Sequence, residues 1–131
     1  MIALDTNVIV RFLVADDRRQ ATRARSVVST AVAQNVQLYV SDIVACEVVW
    51  VLETAYGFQR REIASVLNQL LHARHLKFRS TELMLEALEA YEVGKGDFAD
   101  YLIRANAMNA GCEAVLTFDK ALHREAHFRA P

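Results

Sequence analysis

The sequence predicts an α/β fold: a short parallel sheet of about four or five strands, covered by helices on both faces, in a single domain spanning residues 1–131. Three observations carry that expectation. Short apolar runs alternate with longer segments of helical periodicity, the order that builds a parallel sheet. The 131 residues include only 4 Gly and 1 Pro, too few for a fold made of tight turns. Hydrophobic residues make up 53% and charged residues 24%, enough apolar surface for one core.

Ile2-Ala3-Leu4 reads as a buried strand and ends in Asp5-Thr6-Asn7, three residue types that favour helix N-caps. Residues 8–14 continue as a short apolar helix, and Asp16-Asp17 breaks it. Over 18–34, Ala21, Ala24, Val28, Ala31 and Val32 form a helical stripe. Residues 36–40 read as a second strand. Ser41 caps an apolar helix that runs to about residue 56, where Gly57 stops it. Residues 60–74 are amphipathic, with Ile63, Val66, Leu67, Leu70 and Leu71 on one face. Leu76-Lys77-Phe78 is a third strand, and Ser80 begins a helix to about residue 93. Gly94-Lys95-Gly96 is a loop. A helix starts at Asp97 or Phe98 and is closed by Gly111. Ala114-Val115-Leu116-Thr117 is a fourth strand, and Phe118-Asp119 leads into a last short helix.

The longest apolar stretch, residues 43–52, is interrupted by Glu47 and falls well short of the ~20 residues a membrane span needs. The N-terminus lacks the basic and apolar regions of a signal peptide, so a cytoplasmic location is expected. Cys46 and Cys112 lack CxxC spacing and are expected to be reduced core thiols.

In parallel sheets ligands bind beyond the carboxyl ends of the strands. Asp5 ends the first strand and Asp119 follows the fourth, so the two would share a sheet edge if those strands were neighbours. Glu47 interrupts a helix that is apolar nearly all round and therefore expected to be buried. A buried carboxylate must be paired, protonated or metal-bound. The ordinary explanation is a salt bridge to one of the 12 arginines; a metal is the stronger reading on this helix. Asp97 and Asp100 stand at i, i+3. Their ordinary explanation is a cap and a pairing of Asp100 with Arg104. Asp5 and Asp119, each taken alone, would also be caps. Together, Asp5, Glu47, Asp100 and Asp119 could not all stay ionised at one site without cations. Hard oxygen ligands suit Mg²⁺ or Mn²⁺. His123 with His127, and His72 with His75, read as surface pairs rather than ligands.

Four segments carry a resemblance. They are Leu4-Asp5-Thr6-Asn7, the run from Ser41 to Val48 around Glu47, the run from Asp97 to Ile103, and Leu116-Thr117-Phe118-Asp119. In this order the chain resembles the PIN-domain ribonucleases, in particular the VapC-type toxins of bacterial toxin–antitoxin pairs. The resemblance covers essentially the whole chain. It implies that Asp5, Glu47, Asp100 and Asp119 are the catalytic and metal-holding acids, with Asn7 and Thr117 as hydrogen-bonding supports. Asp100 fits the family's third acid, before a Leu-Ile pair, and Asp97 is then an additional carboxylate beside it. It also implies an RNA substrate, an antitoxin partner and a homodimer.

The chemistry these residues suit is metal-dependent hydrolysis of a phosphodiester. No Ser-His or Cys-His pair and no Gly-rich phosphate loop offers another route. An aspartyl-phosphate enzyme would want a second Asp where Asn7 stands. A non-catalytic PIN-like module, binding RNA or a protein, is the other alternative. The net charge is −1, yet with the four acids set aside the remainder is positive. Arg11, Arg18, Arg19, Arg23 and Arg25 form the densest basic run, and Arg60-Arg61 and Arg74-His75-Lys77-Arg79 add others. Any one such cluster is by default a solvated helix face, and such patches could hold RNA phosphates. The apolar helices at 8–14 and 41–56 exceed what one small core covers, which also points to a dimer.

Overall fold

The computed structural model describes residues 1–131. The element order is β1 (Ile2–Ala3), α1 (Thr6–Leu13), α2 (Arg18–Gln34), β2 (Leu38–Val40), α3 (Asp42–Thr54), α4 (Arg60–Leu71), β3 (Leu76–Phe78), α5 (Thr81–Val93), α6 (Phe98–Asn109), β4 (Val115–Leu116), a single 3-10 turn (Leu122–Arg124) and β5 (Phe128–Arg129). Every strand pairing is parallel. The fold class is therefore α/β, as the alternation of apolar runs requires.

The five strands are not hydrogen-bonded into one sheet. β1, β2 and β3 form a three-stranded sheet in that order, and β4 pairs only with β5. β1 and β4 are thus not paired neighbours, and the condition for placing Asp5 and Asp119 on one edge is not met through strand pairing. The chain resolves into two compact units. One comprises Met1–Gln59 and Gln69–Arg79, the other Arg60–Asn68 and Ser80–Pro131. No helix is long and apolar enough to cross a membrane.

In the first unit α1 packs on both α2 and α3, beside the β1-β2-β3 sheet. Leu38 and Val40 of β2, Ile9 and Val10 of α1, and Val48, Val49 and Leu52 of α3 are all buried. Removing these side chains from water stabilises the unit by about 1.5–3 kcal/mol each. Local chemistry fixes the helix ends. Asp17 and Ser41 accept from the Gln20 and Val44 amides at 3.0 and 3.2 Å. Asn35 takes the left-handed conformation that ends α2. Gly57, at φ +67°, turns the chain after α3.

In the second unit α5 packs on α6, and β5 and the 3-10 turn close against each other. The core is aromatic. Tyr91 meets Phe98 edge-on at 6.0 Å, and Tyr101 meets Phe128 at 6.4 Å. The Arg104 guanidinium lies over both Tyr101 and Phe128, at 5.1 and 5.2 Å from the ring centroids.

Two expectations about side chains are corrected here. Cys112 is exposed rather than a core thiol, because α6 ends at Asn109 and the chain turns outward. Cys46 is half-buried; desolvation, with the Asp42 charge adding to it, raises its thiol pKa to about 11. Arg104 does not pair with Asp100. It donates to the Ala126 carbonyl at 3.1 Å instead.

Candidate functional site

Asp5, Asn7 and Glu47 lie in the first unit, where a single threonine links the two acids. Asp5 is the N-cap of α1, and its Oδ1 accepts from the Thr6 amide at 2.8 Å. The Thr6 hydroxyl donates to Glu47 Oε2 at 2.6 Å, across 41 positions of sequence. Thr6 is itself 8% exposed, so its geometry is fixed by packing. Asn7 lines a cleft of about 290 Å³ with Arg11, Gln20 and Arg23.

Glu47 is not buried, contrary to the expectation drawn from its helix. Ile43, Glu47, Trp50 and Thr54 form an exposed face of α3, while Ala45, Val48, Val49 and Leu52 face the core. The helix is apolar on both sides but buried on one. The carboxylate sits on the open side and needs no buried salt bridge.

Asp97, Asp100 and Asp119 lie in the second unit. Asp97 is the N-cap of α6, and its backbone amide donates to Asp100 Oδ2 at 2.8 Å. Asp100 is the most enclosed of the three. Burial raises its pKa; the Asp97 amide opposes that, and the charges of Asp97, Asp119 and Glu125 add to it. Asp119 Oδ1 accepts from the Ala121 amide at 3.0 Å, and its own amide donates to Thr117 Oγ1 at 3.1 Å. The Thr117 carbonyl is met by His123 Nε2 at 2.7 Å; a carbonyl only accepts, so that nitrogen carries the proton. Thr117 therefore shapes the turn on which Asp119 stands.

None of the five candidate acids takes part in a salt bridge, although the chain carries 15 basic residues. Pairing with Arg or Lys, the ordinary explanation for Glu47 and Asp100, fails for both, whereas Asp5 and Asp97 do serve as helix caps and Asp119 accepts from the turn that follows it. No three His, Cys, Asp or Glu side chains form a group arranged to hold a metal ion by themselves. The five acids offer only carboxylate oxygens, the donor type of hard cations rather than soft ones.

Among the basic residues, Arg11 is held by neighbouring groups. Its Nη1 donates to Asp16 at 3.1 Å and to the Tyr56 hydroxyl at 2.9 Å, and its Nε to Gln20 at 2.5 Å. The Tyr56 hydroxyl donates to Asp16 in turn, and that bond, with Arg11 adding to it, holds the Asp16 carboxyl below the usual range. Arg18, Arg19 and Arg23 line an open cleft along the start of α2. Thr6 escaped the sequence reading. Its type suits a cap, and nothing local signals a hydroxyl aimed at a residue 41 positions away.

An α/β chain with unpaired acids at a strand end and at helix starts narrows the class, and comparison identifies it. The PIN domain matches residues 2–127, and the chain belongs to that family. It is similar to the VapC ribonuclease of Aquifex aeolicus (strain VF5), with 26% identity over 120 residues, 92% of this chain and 88% of that protein.

Proposed function

We propose that the protein is a divalent-cation-dependent endoribonuclease, the toxin of a toxin–antitoxin pair, and that Asp5, Glu47, Asp100 and Asp119 are its acidic site residues. The observation that carries this reading is the absence of any cationic partner on these acids. Carboxylates kept without counter-charge, one of them raised in proton affinity by burial, are suited to bind cations from solution. The family membership and the similarity to a VapC ribonuclease support the choice of RNA.

Asp5, Asp100 and Asp119 would hold Mg²⁺ or Mn²⁺, with Glu47 either holding a second ion or orienting water. A bound divalent cation supplies a lowered water pKa and charge stabilisation at the phosphate. The Thr6 hydroxyl occupies Glu47 Oε2 and leaves Oε1 to accept a proton from an attacking water. The Ala121 amide engages Asp119 Oδ1, and Oδ2 would take the cation. Asp97 adds negative charge beside Asp100. Asn7 stands one residue beyond Thr6, beside the Arg23 cleft, where a substrate phosphate would be received.

Self-association is part of the same proposal. Ile43 and Trp50, 72% and 64% exposed, and the partly exposed Phe12 lie on the two apolar helices. An antitoxin partner is proposed from the similarity alone.

The test is cleavage of a single-stranded RNA by the purified chain. EDTA should stop it, and Mg²⁺ or Mn²⁺ should restore it, with light scattering giving the mass of the active species. Cleavage insensitive to EDTA would defeat the proposal, as would an RNA-binding chain that never cuts.

A further inference from the structure

Lys95, Lys120 and Arg124 are far apart in the sequence, and none falls in the basic runs read from it. The fold of the second unit brings all three to one open cleft of about 570 Å³. All three are exposed, and none joins a salt bridge. The one acid lining this cleft is Glu125, and its carboxylate is taken by the Tyr101 hydroxyl at 2.8 and 2.9 Å. Three cations share the cleft with this one carboxylate, which leaves a net positive patch that a polyanion would neutralise.

A second observation bears on which polyanion. Phe118 stands two residues before Lys120 and is 87% exposed. An aromatic ring left in water two residues along the chain from a cation of the cleft suits the pairing that single-stranded nucleic acid uses. Cations follow the backbone while a ring stacks on an unpaired base. A free phosphate would account for the cations alone, and a duplex offers no open base face.

We infer that Lys95, Lys120 and Arg124, together with the Phe118 ring, form a binding track for single-stranded RNA on the second unit. The inference rests on the ribonuclease reading for its choice of RNA. Lys95 and Lys120 lie close in sequence to Asp97 and Asp119. Phosphates flanking the scissile one would meet cations while that one meets the acids.

The test uses the full chain carrying Asp5→Asn, so that RNA is bound and not cut. The probe is a fluorescein-labelled oligouridylate, followed by anisotropy from about 50 to 300 mM salt without divalent ions. In that background K95Q/K120Q/R124Q should weaken binding and flatten the slope of log Kd against log salt by about two, three contacts at ~0.7 each. Phe118→Ala should weaken binding roughly tenfold with the slope unchanged, and Phe118→Tyr should restore it. If the charge variant matches its parent in affinity and slope, the track is overturned, while cleavage of the same RNA by wild type leaves the ribonuclease reading standing. If the parent binds no RNA and wild type cuts none, both are overturned. Binding of a polyglutamate peptide in place of RNA would overturn the track and assign the cleft to a protein partner.

Discussion

The Thr6 hydroxyl and Glu47 Oε2 stand 2.6 Å apart, joining the first turn of α1 to the exposed face of α3. Glu47 is exposed, and this bond is what fixes its orientation. Thr6→Val keeps the shape and removes the donor. Melting temperature should fall only slightly, because the freed carboxylate can hydrate; the lost bond costs about 1 kcal/mol. RNA cleavage should fall roughly ten- to a hundredfold, as for other groups that orient a metal ligand. Thr6→Ser should recover most of it. Equal turnover in Val and Ser variants would remove Thr6 from the mechanism.

Asp5 separates fold from chemistry. Asn is as good a helix cap as Asp, so Asp5→Asn should leave circular dichroism and melting unchanged. It removes a charge that would hold a cation. Metal-dependent cleavage should be lost, and undiminished cleavage would exclude Asp5.

Asp100 carries a pH signature. Its carboxyl has a higher proton affinity in the folded chain than the ordinary 3.8. A group raised in this way favours folding most below its unfolded pKa, and that contribution is lost as pH rises through the folded value. At neutral pH the ionised Asp100 therefore opposes folding. Asp100→Asn should raise the melting temperature near pH 7, with the gain vanishing near pH 3. Mn²⁺ should raise the melting temperature of wild type more than that of Asp100→Asn. A stability gain independent of pH would show that the charge is not its source.

Gly94 is required by close packing. A Cβ there would stand 2.7 Å from the Ala90 carbonyl and would overlap the Tyr101 hydroxyl. That hydroxyl also accepts from the Gly96 amide at 2.8 Å and donates to Glu125. Gly94→Ala should destabilise the chain by about 2–3 kcal/mol in urea denaturation. Gly111→Ala meets no neighbour and should cost less despite its φ of +89°. The reverse order would refute the packing argument.

Where local chemistry decides, the sequence was legible. Helix α2 spans Arg18–Gln34 as its stripe required, β3 spans Leu76–Phe78, and Ser41 and Ser80 cap the helices after them. β5 was not read as a strand in its own right, because two residues near a helical turn give no period and are fixed by pairing with β4. Glu47 was misread as buried because composition alone cannot say which side of an all-apolar helix faces water. The five acids could be named from their motifs. The Thr6 bridge and the Lys95–Lys120–Arg124 cleft depend on chain separations that only folding closes.

The parallel pairing of β4 with β5 ties Asp119 to a separate stretch of the chain. The Thr117 amide donates to the Arg129 carbonyl at 2.9 Å, so the turn beneath Asp119 takes its footing from β5. Cutting the chain ahead of Phe128 would leave this carboxylate on an unanchored turn, while the Thr6 link between Asp5 and Glu47 would stay intact.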